Sequence, residues 1–228
     1  MLESWLARSL PVGRVCRGLT VGPATIDVVF ARPAAGSECR SGATMRLAEE
    51  LGATAVHRPR GLVRVAALPP SGRPVATIAG THAGPRVSVS HVAGLLGAAV
   101  SLDGSPGLDI VDPATAGRGL DAFLTPDELA LLPDDTGLVR GLLWAAKEAA
   151  FKAAALDVEF RPLSVAIESL TPGGFAWTLA GPFGHVAGVG RFAAVAGHVV
   201  ALAATGPGAA IGRGANPWKA CEEQVACS

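Results

Sequence analysis

The stretch Trp144-Ala145-Ala146-Lys147-Glu148-Ala149-Ala150-Phe151-Lys152 lies in a run from Leu138 to Leu156 that contains no proline and one glycine, Gly141. Alanine, leucine, lysine and glutamate are strong helix formers, so the composition predicts a helix over 138–156. At 3.6 residues per turn, Trp144, Lys147, Glu148, Phe151 and Lys152 are separated by threes and fours and share one broad face. A helix that only covers a core segregates its charges from its rings. Here a carboxylate, two amines and two aromatic rings interleave, as they would in a pocket wall. Glu148 and Lys152 also form an i, i+4 pair, which alone implies only a solvated contact of a few tenths of a kcal/mol. Lys147, Lys152 and Lys219 are the only lysines among 19 basic residues, so this stretch holds most of them.

Working outward, Arg86 to Ser90 alternates as a strand, His91 sits in a short connection, and Ala93 to Leu102 reads as a second, nearly all-apolar strand. Asp103-Gly104 is a hairpin signal that leads into a strand at Gly107 to Val111. Upstream, Ala24 to Arg32 reads as a strand and Ser41 to Leu51 as the first helix, with Gly52 as its C-cap. Strands follow at Leu62 to Leu68 and Val75 to Ile78, while residues 1–20 show little beyond a short amphipathic start. Thr125-Pro126-Asp127-Glu128 is a capping box with proline at the first helical position, and Asp134 to Thr136 offer caps for the principal helix. Short strands are expected at 163–167, 175–180, 186–189, 193–196 and 198–204. The run Arg191 to Thr205 loosely echoes Arg86 to Ser101, a weak internal repeat that suits two similar halves.

Three of these stretches, in order, resemble the motifs of 4'-phosphopantetheinyl transferases of the Sfp type. Val87-Ser88-Val89-Ser90-His91 is similar to that family's strand ending in Ser-His, and Gly107-Leu108-Asp109-Ile110 to its Gly-x-Asp-x segment. Trp144, Lys147, Glu148, Ala149 and Lys152 match its Trp-x-x-Lys-Glu-Ala-x-x-Lys signature. The resemblance implies an α+β fold of two similar halves related by a pseudo-two-fold, with the active site in the cleft between them. The corresponding division is residues 1–105, residues 106–210 and a loosely ordered tail, 211–228. The implied activity is transfer of the 4'-phosphopantetheine arm of coenzyme A to a serine of an apo acyl or peptidyl carrier protein, with release of 3',5'-ADP.

Each candidate residue then takes an implied role. Asp109 and Glu148 match metal-binding positions for Mg²⁺, an ion that takes oxygen ligands and is commonly held by one or two carboxylates plus substrate phosphates. Lys147 and Lys152 would bind phosphate, Lys152 also assisting the leaving oxygen, and Ser90 and His91 match coenzyme phosphate contacts. Arg73, in a Gly-basic-Pro turn, and Arg40, before the first helix, are further coenzyme contacts, with Arg58 and Arg60 competing for the part of Arg40. Glu148 has a competing role as general base, which metal coordination would weaken. One departure stands out. Many family members carry a second carboxylate two positions after the aspartate, where this chain has Val111 followed by Asp112. On a strand Asp112 points away from Asp109, so weaker metal binding is expected, and a non-catalytic relative that keeps coenzyme or carrier binding is the alternative. An unrelated metal-dependent phosphohydrolase built on Asp109 and Glu148 is the least supported reading.

Composition bounds the rest. The 228 residues are 50% hydrophobic and 17% charged, enough for a sizeable core, and Gly 29 and Pro 17 imply many short elements. A net charge of +0 offers no global field for nucleic acid or an anionic membrane. Cys16, Cys39, Cys221 and Cys227 form no Cys-x-x-Cys pair, which argues against zinc and for a reducing, cytoplasmic setting. The N-terminus does not read as a signal peptide, and the apolar run 192–205 is too short to cross a membrane. Two halves in one chain imply a monomer that supplies both sides of its own cleft.

Overall fold

Alternating apolar residues build the strands of a computed structural model that describes residues 9–34, 40–69, 71–81, 84–115, 119–131, 137–181 and 184–205. Among them, β1 (Val15–Val21), β2 (Ala24–Ala31), β5 (Arg86–Val92) and β6 (Leu95–Ser101) form a four-stranded sheet in the order β1-β2-β6-β5. β3 (Val63–Leu68) and β4 (Arg73–Ile78) pair as a separate ribbon. β7 (Pro106–Val111), β8 (Val165–Thr171), β9 (Gly174–Gly181), β10 (Gly184–Val195) and β11 (His198–Thr205) form a five-stranded sheet in the order β7-β11-β10-β9-β8. The helices are α1 (Arg40–Ala55), the short α2 (Pro126–Ala130) and α3 (Gly137–Ala154). None is long and apolar enough to cross a membrane among the described residues.

The period of two in β2 explains the layering. Ala24, Ile26, Val28 and Phe30 join one core cluster with Leu108, Ile110, Val200 and Leu202 of the second sheet. Val29, on the other face, packs with Ala48 and Leu51 of α1. The second sheet likewise turns Phe192, Val199, Ala201 and Ala203 toward α3. The order of layers is therefore helix, sheet, sheet, helix. Each fully buried large apolar side chain, such as Phe30 or Leu95, contributes about 1.5–3 kcal/mol.

Both sheets follow one route. A strand (β2 or β7) leads to a long helix (α1 or α3), four strands follow, as two separate hairpins after α1 and as one continuous meander after α3, and the last (β6 or β11) returns to pair with the first. The echo read between 86–101 and 191–205 corresponds to the hairpins β5-β6 and β10-β11. Both close on an Ala-Gly turn, with Gly94 at φ 83° and Gly197 at φ 84°, a region glycine enters without steric cost.

Several expectations need correction. Asp103-Gly104 does not close a hairpin, because β6 and β7 belong to different sheets. The Asp103 carboxylate instead accepts from Thr25 N–H (3.0 Å) and Ser101 O–H (2.9 Å), tying the crossover to β2 and holding its pKa below the usual value. The strands expected at 186–189 and 193–196 are one strand, β10. Its glycines are not breaks: a Cβ at Gly190 would run into the Phe175 ring and one at Gly188 into Trp177. β1 was hidden by Arg17 and Gly18 at a bulge between Cys16 and Leu19. The helix expected over 138–156 ends at Ala154. The caps at Asp134 to Thr136, Cys39, Cys221, Cys227, Lys219 and the tail 211–228 lie outside the described residues.

Candidate active site

The buried face of α3 is built from small residues. Ala145, Ala146, Ala149, Ala150 and Ala153 are all buried, which lets the helix axis approach the sheet closely. Gly107 completes the fit: a Cβ there would collide with the Ala149 carbonyl oxygen and the Ala153 amide nitrogen. This contact is the physical reason for glycine two positions before Asp109. It brings β7 against the helix face that carries Glu148 and Lys152. Lys152 Nζ donates to Asp109 Oδ1 at 2.7 Å and to the Leu108 carbonyl at 3.1 Å, and lies 3.3 Å from Glu148 Oε2.

The serines of β5 join the two sheets at their edges. Ser88 Oγ accepts from Leu108 N–H at 2.9 Å and Ser90 Oγ from Ile110 N–H at 3.2 Å. Two amides on the outer edge of β7 are thereby satisfied by side chains rather than by another strand. Ser90 O–H also donates to Asp109 Oδ1 at 2.9 Å. Asp109 is only 4% exposed. Burial pushes its carboxyl up to about 6, with the charge of Glu148 adding to the rise and Lys152 and Ser90 opposing it. Burial would lower the Lys152 ammonium, yet Asp109 and Glu148 hold it above its ordinary value.

Two cavities meet at these charges. One of about 410 Å³ is lined by Ser90, His91, Asp109, Val111, Trp144 and Ser41, among others. The other, of about 700 Å³, is lined by the β3-β4 turn and the end of α3, including Arg73, Arg86, Phe151 and Phe160. Glu148 and Lys152 line both. The rings of Phe151 and Phe160 lie 5.0 Å apart, and Phe160 meets Trp144 edge-on at 5.7 Å, so one aromatic row backs both spaces. His91 is exposed at the smaller cavity, and its pKa is lowered first by burial, then by Arg40 and Lys152. Arg40 is exposed at the start of α1. Arg73 donates through Nη1 to the Ala155 carbonyl at 2.6 Å, while its buried Nε has no hydrogen-bond partner.

Asp109, Glu148, Lys152, His91 and Ser90 are therefore together, with Arg73 on the adjoining wall. Lys147 is not with them. It is 0% exposed and donates to Glu128 Oε1 at 2.7 Å and to the carbonyls of Val165 (2.7 Å) and Pro162 (3.0 Å). Five residues along a helix rotate a side chain by about 140°, so Lys147 and Lys152 take opposite edges of the face they were expected to share. Burial lowers the Lys147 pKa, and Glu128 opposes that. Glu128, read from sequence as a cap, also accepts from Ile167 N–H at 3.0 Å. Ser90, expected to contact a coenzyme phosphate, gives its hydroxyl hydrogen to Asp109. Asp112, one residue past the end of β7, caps the following turn through Ala114 N–H at 2.9 Å.

Sequence reading missed Ser88, Arg86 and the second partner set of Glu128. The serines were legible as an alternation at 88 and 90, whereas nothing local marks Arg86 as facing a cavity. Among the described residues no group of three or more His, Cys, Asp or Glu side chains is placed to hold a metal. Asp109 and Glu148 nevertheless reach one common cation, the Lys152 ammonium, so the pair fits an oxygen-liganded ion that draws further ligands from water and phosphate.

No curated protein matches the chain. Residues 105–189, the span that carries Asp109, Glu148 and Lys152, match the ACPS family model, the 4'-phosphopantetheinyl transferase superfamily, which supports that superfamily and phosphopantetheine transfer as its general chemistry.

Proposed function

We propose that this chain is a Sfp-type, Mg²⁺-dependent 4'-phosphopantetheinyl transferase that acts on coenzyme A and an apo acyl or peptidyl carrier protein. The carrying observation is the meeting of Asp109, Glu148 and Lys152 where two cavities join, within the segment that matches the superfamily. In this reading the two halves, 1–105 and 106–210, are related by a pseudo-two-fold, the cleft between them is the active site, and a cytoplasmic monomer suffices.

The larger cavity suits the nucleotide of coenzyme A. Arg73 and Arg86 line it, and an anion would satisfy the orphan Arg73 Nε, a buried donor that is costly to leave unpaired. Arg40 and His91 would meet phosphate at the rim of the smaller cavity. The carrier serine hydroxyl attacks the pantetheine-bearing phosphorus, its new P–O bond replacing the bond to the bridging oxygen, and 3',5'-ADP leaves. A divalent ion bound at Asp109 and Glu148 would neutralise charge on the diphosphate. Lys152 would donate to the bridging or leaving oxygen as negative charge develops there. Glu148 would hold the metal in preference to acting as base, and the serine proton would pass to water. Ser90 fixes the rotamer of Asp109.

The test is incubation with coenzyme A, Mg²⁺ and an apo carrier protein, followed by chromatography for 3',5'-ADP. Nucleotide release that depends on the carrier supports the reading, and its absence across fatty-acid, polyketide and peptide carriers opposes it. Val111, which lines the cavity where a second carboxylate would stand, favours one alternative, a non-catalytic relative. Coenzyme binding by calorimetry without release would identify it.

A further inference from the structure

An ammonium has three N–H donors, and Lys152 has three oxygen partners inside the protein: Asp109 Oδ1, the Leu108 carbonyl and Glu148 Oε2. Two carboxylates bridged by one ammonium present a single net negative charge, rather than two, to an incoming divalent ion. Val111 adds none. A metal arriving alone would have to expel the ammonium from both carboxylates and leave it without an anion, a costly exchange at a site where Asp109 is 4% exposed. The way out is nonetheless open. Lys152 is 28% exposed and also lines the larger cavity, so a diphosphate held there by Arg73 and Arg86 would offer it anionic oxygens in exchange.

We propose that Lys152 is the resident counter-ion of Asp109 and Glu148, barring divalent metal from them until a diphosphate in the larger cavity draws the ammonium away. Metal entry is thereby made conditional on the nucleotide, with Lys152 as the switch between them. This rests on reading Asp109 and Glu148 as the metal pair, and not on the transfer step.

The test is Mn²⁺ binding to the full chain without nucleotide, followed by paramagnetic resonance of the free ion. Lys152→Met should bind Mn²⁺ at least about tenfold more tightly than the unaltered protein, because one positive charge at contact distance is removed. Arg17→Gln, which removes an exposed charge on β1, at the far edge of the first sheet, should change the affinity by less than about twofold. Equal affinity of Lys152→Met and the unaltered protein overturns the counter-ion, as does equal tightening in Arg17→Gln. Failure of Lys152→Met to bind Mn²⁺ at all overturns the metal reading together with it. A second measurement needs no variant: the chain has three lysines, so ¹⁵N-lysine labelling gives few Nζ signals. The Lys152 signal should hold its position with Mg²⁺ alone and move with Mg²⁺ plus inorganic pyrophosphate. Equal movement with Mg²⁺ alone overturns the proposal.

Discussion

Lys147 and Lys152 stand five residues apart on one helix, each paired with a carboxylate at 2.7 Å, and they do opposite things. Lys147 is sealed: its ammonium, Glu128, two carbonyls and the Ile167 amide form a closed set that ties α2, α3 and β8 together. Lys152 is also fully bonded, but two of its partners are carboxylates that line a cavity and it is itself 28% exposed. The distinction between a sealed brace and an ion pair open to a cavity thus lies in what surrounds the pair, not in its residue types or its length.

The largest expected effect breaks the brace. Lys147→Met leaves Glu128 buried and uncompensated, and unfolding in urea should show a loss of about 3–5 kcal/mol. Adding Glu128→Leu should recover part of that loss, since removing both partners costs less than removing one. Lys152→Met should behave in reverse: carrier modification falls by about 10²–10³-fold, as when a transition-state donor is removed, while stability falls by less than in Lys147→Met, because Asp109 keeps the Ser90 hydrogen bond and borders a cavity. If the two variants lose stability equally, the contrast fails.

A third change sharpens the contrast by moving the helix. Gly107→Ala forces α3 away from β7, and overpacking of this kind costs about 1–3 kcal/mol in thermal or urea unfolding. It should also lengthen the Lys152 to Asp109 contact and lower activity, while leaving the Lys147 brace bonded.

The smallest effect is read from pH. Asp109 has its pKa raised to about 6, so between its ordinary 3.8 and that value the native state holds a proton the unfolded chain has released. Its contribution to stability is therefore greatest below about pH 4 and is lost as pH rises through 6. Relative to Asp109→Asn, the unaltered protein should lose stability by at most about 1.4 kcal/mol per pH unit between pH 4 and 6, and no further above it. Lys152, raised by its carboxylates, contributes in the opposite part of the range, losing its share only above its ordinary value of 10.5.

Much of this was legible in residue order. The period of two in β2 and β5, the alanine-rich run of α3 and the Thr125 to Glu128 box each state their structure locally, and the three motifs bring Asp109, Glu148, Lys152 and His91 to attention. What stayed hidden depends on partners distant in sequence. Gly190 looks like a strand break until the Phe175 ring that fills its missing side chain is in place. Asp103-Gly104 has hairpin chemistry, but its carboxylate is claimed by Thr25, 78 residues earlier. Lys147 shares a helix face with Lys152 on a wheel, and only β8 and Glu128 decide that it turns inward. The wheel carries period, and burial is decided across layers.

The most direct measurement of the central claim is the mass of an apo carrier protein after incubation with coenzyme A, Mg²⁺ and either the unaltered chain or Glu148→Gln. The carrier should gain one phosphopantetheine group with the unaltered chain and almost none with Glu148→Gln, whose melting temperature should be close to the original. Equal modification by both proteins would contradict the placement of the chemistry at Asp109, Glu148 and Lys152.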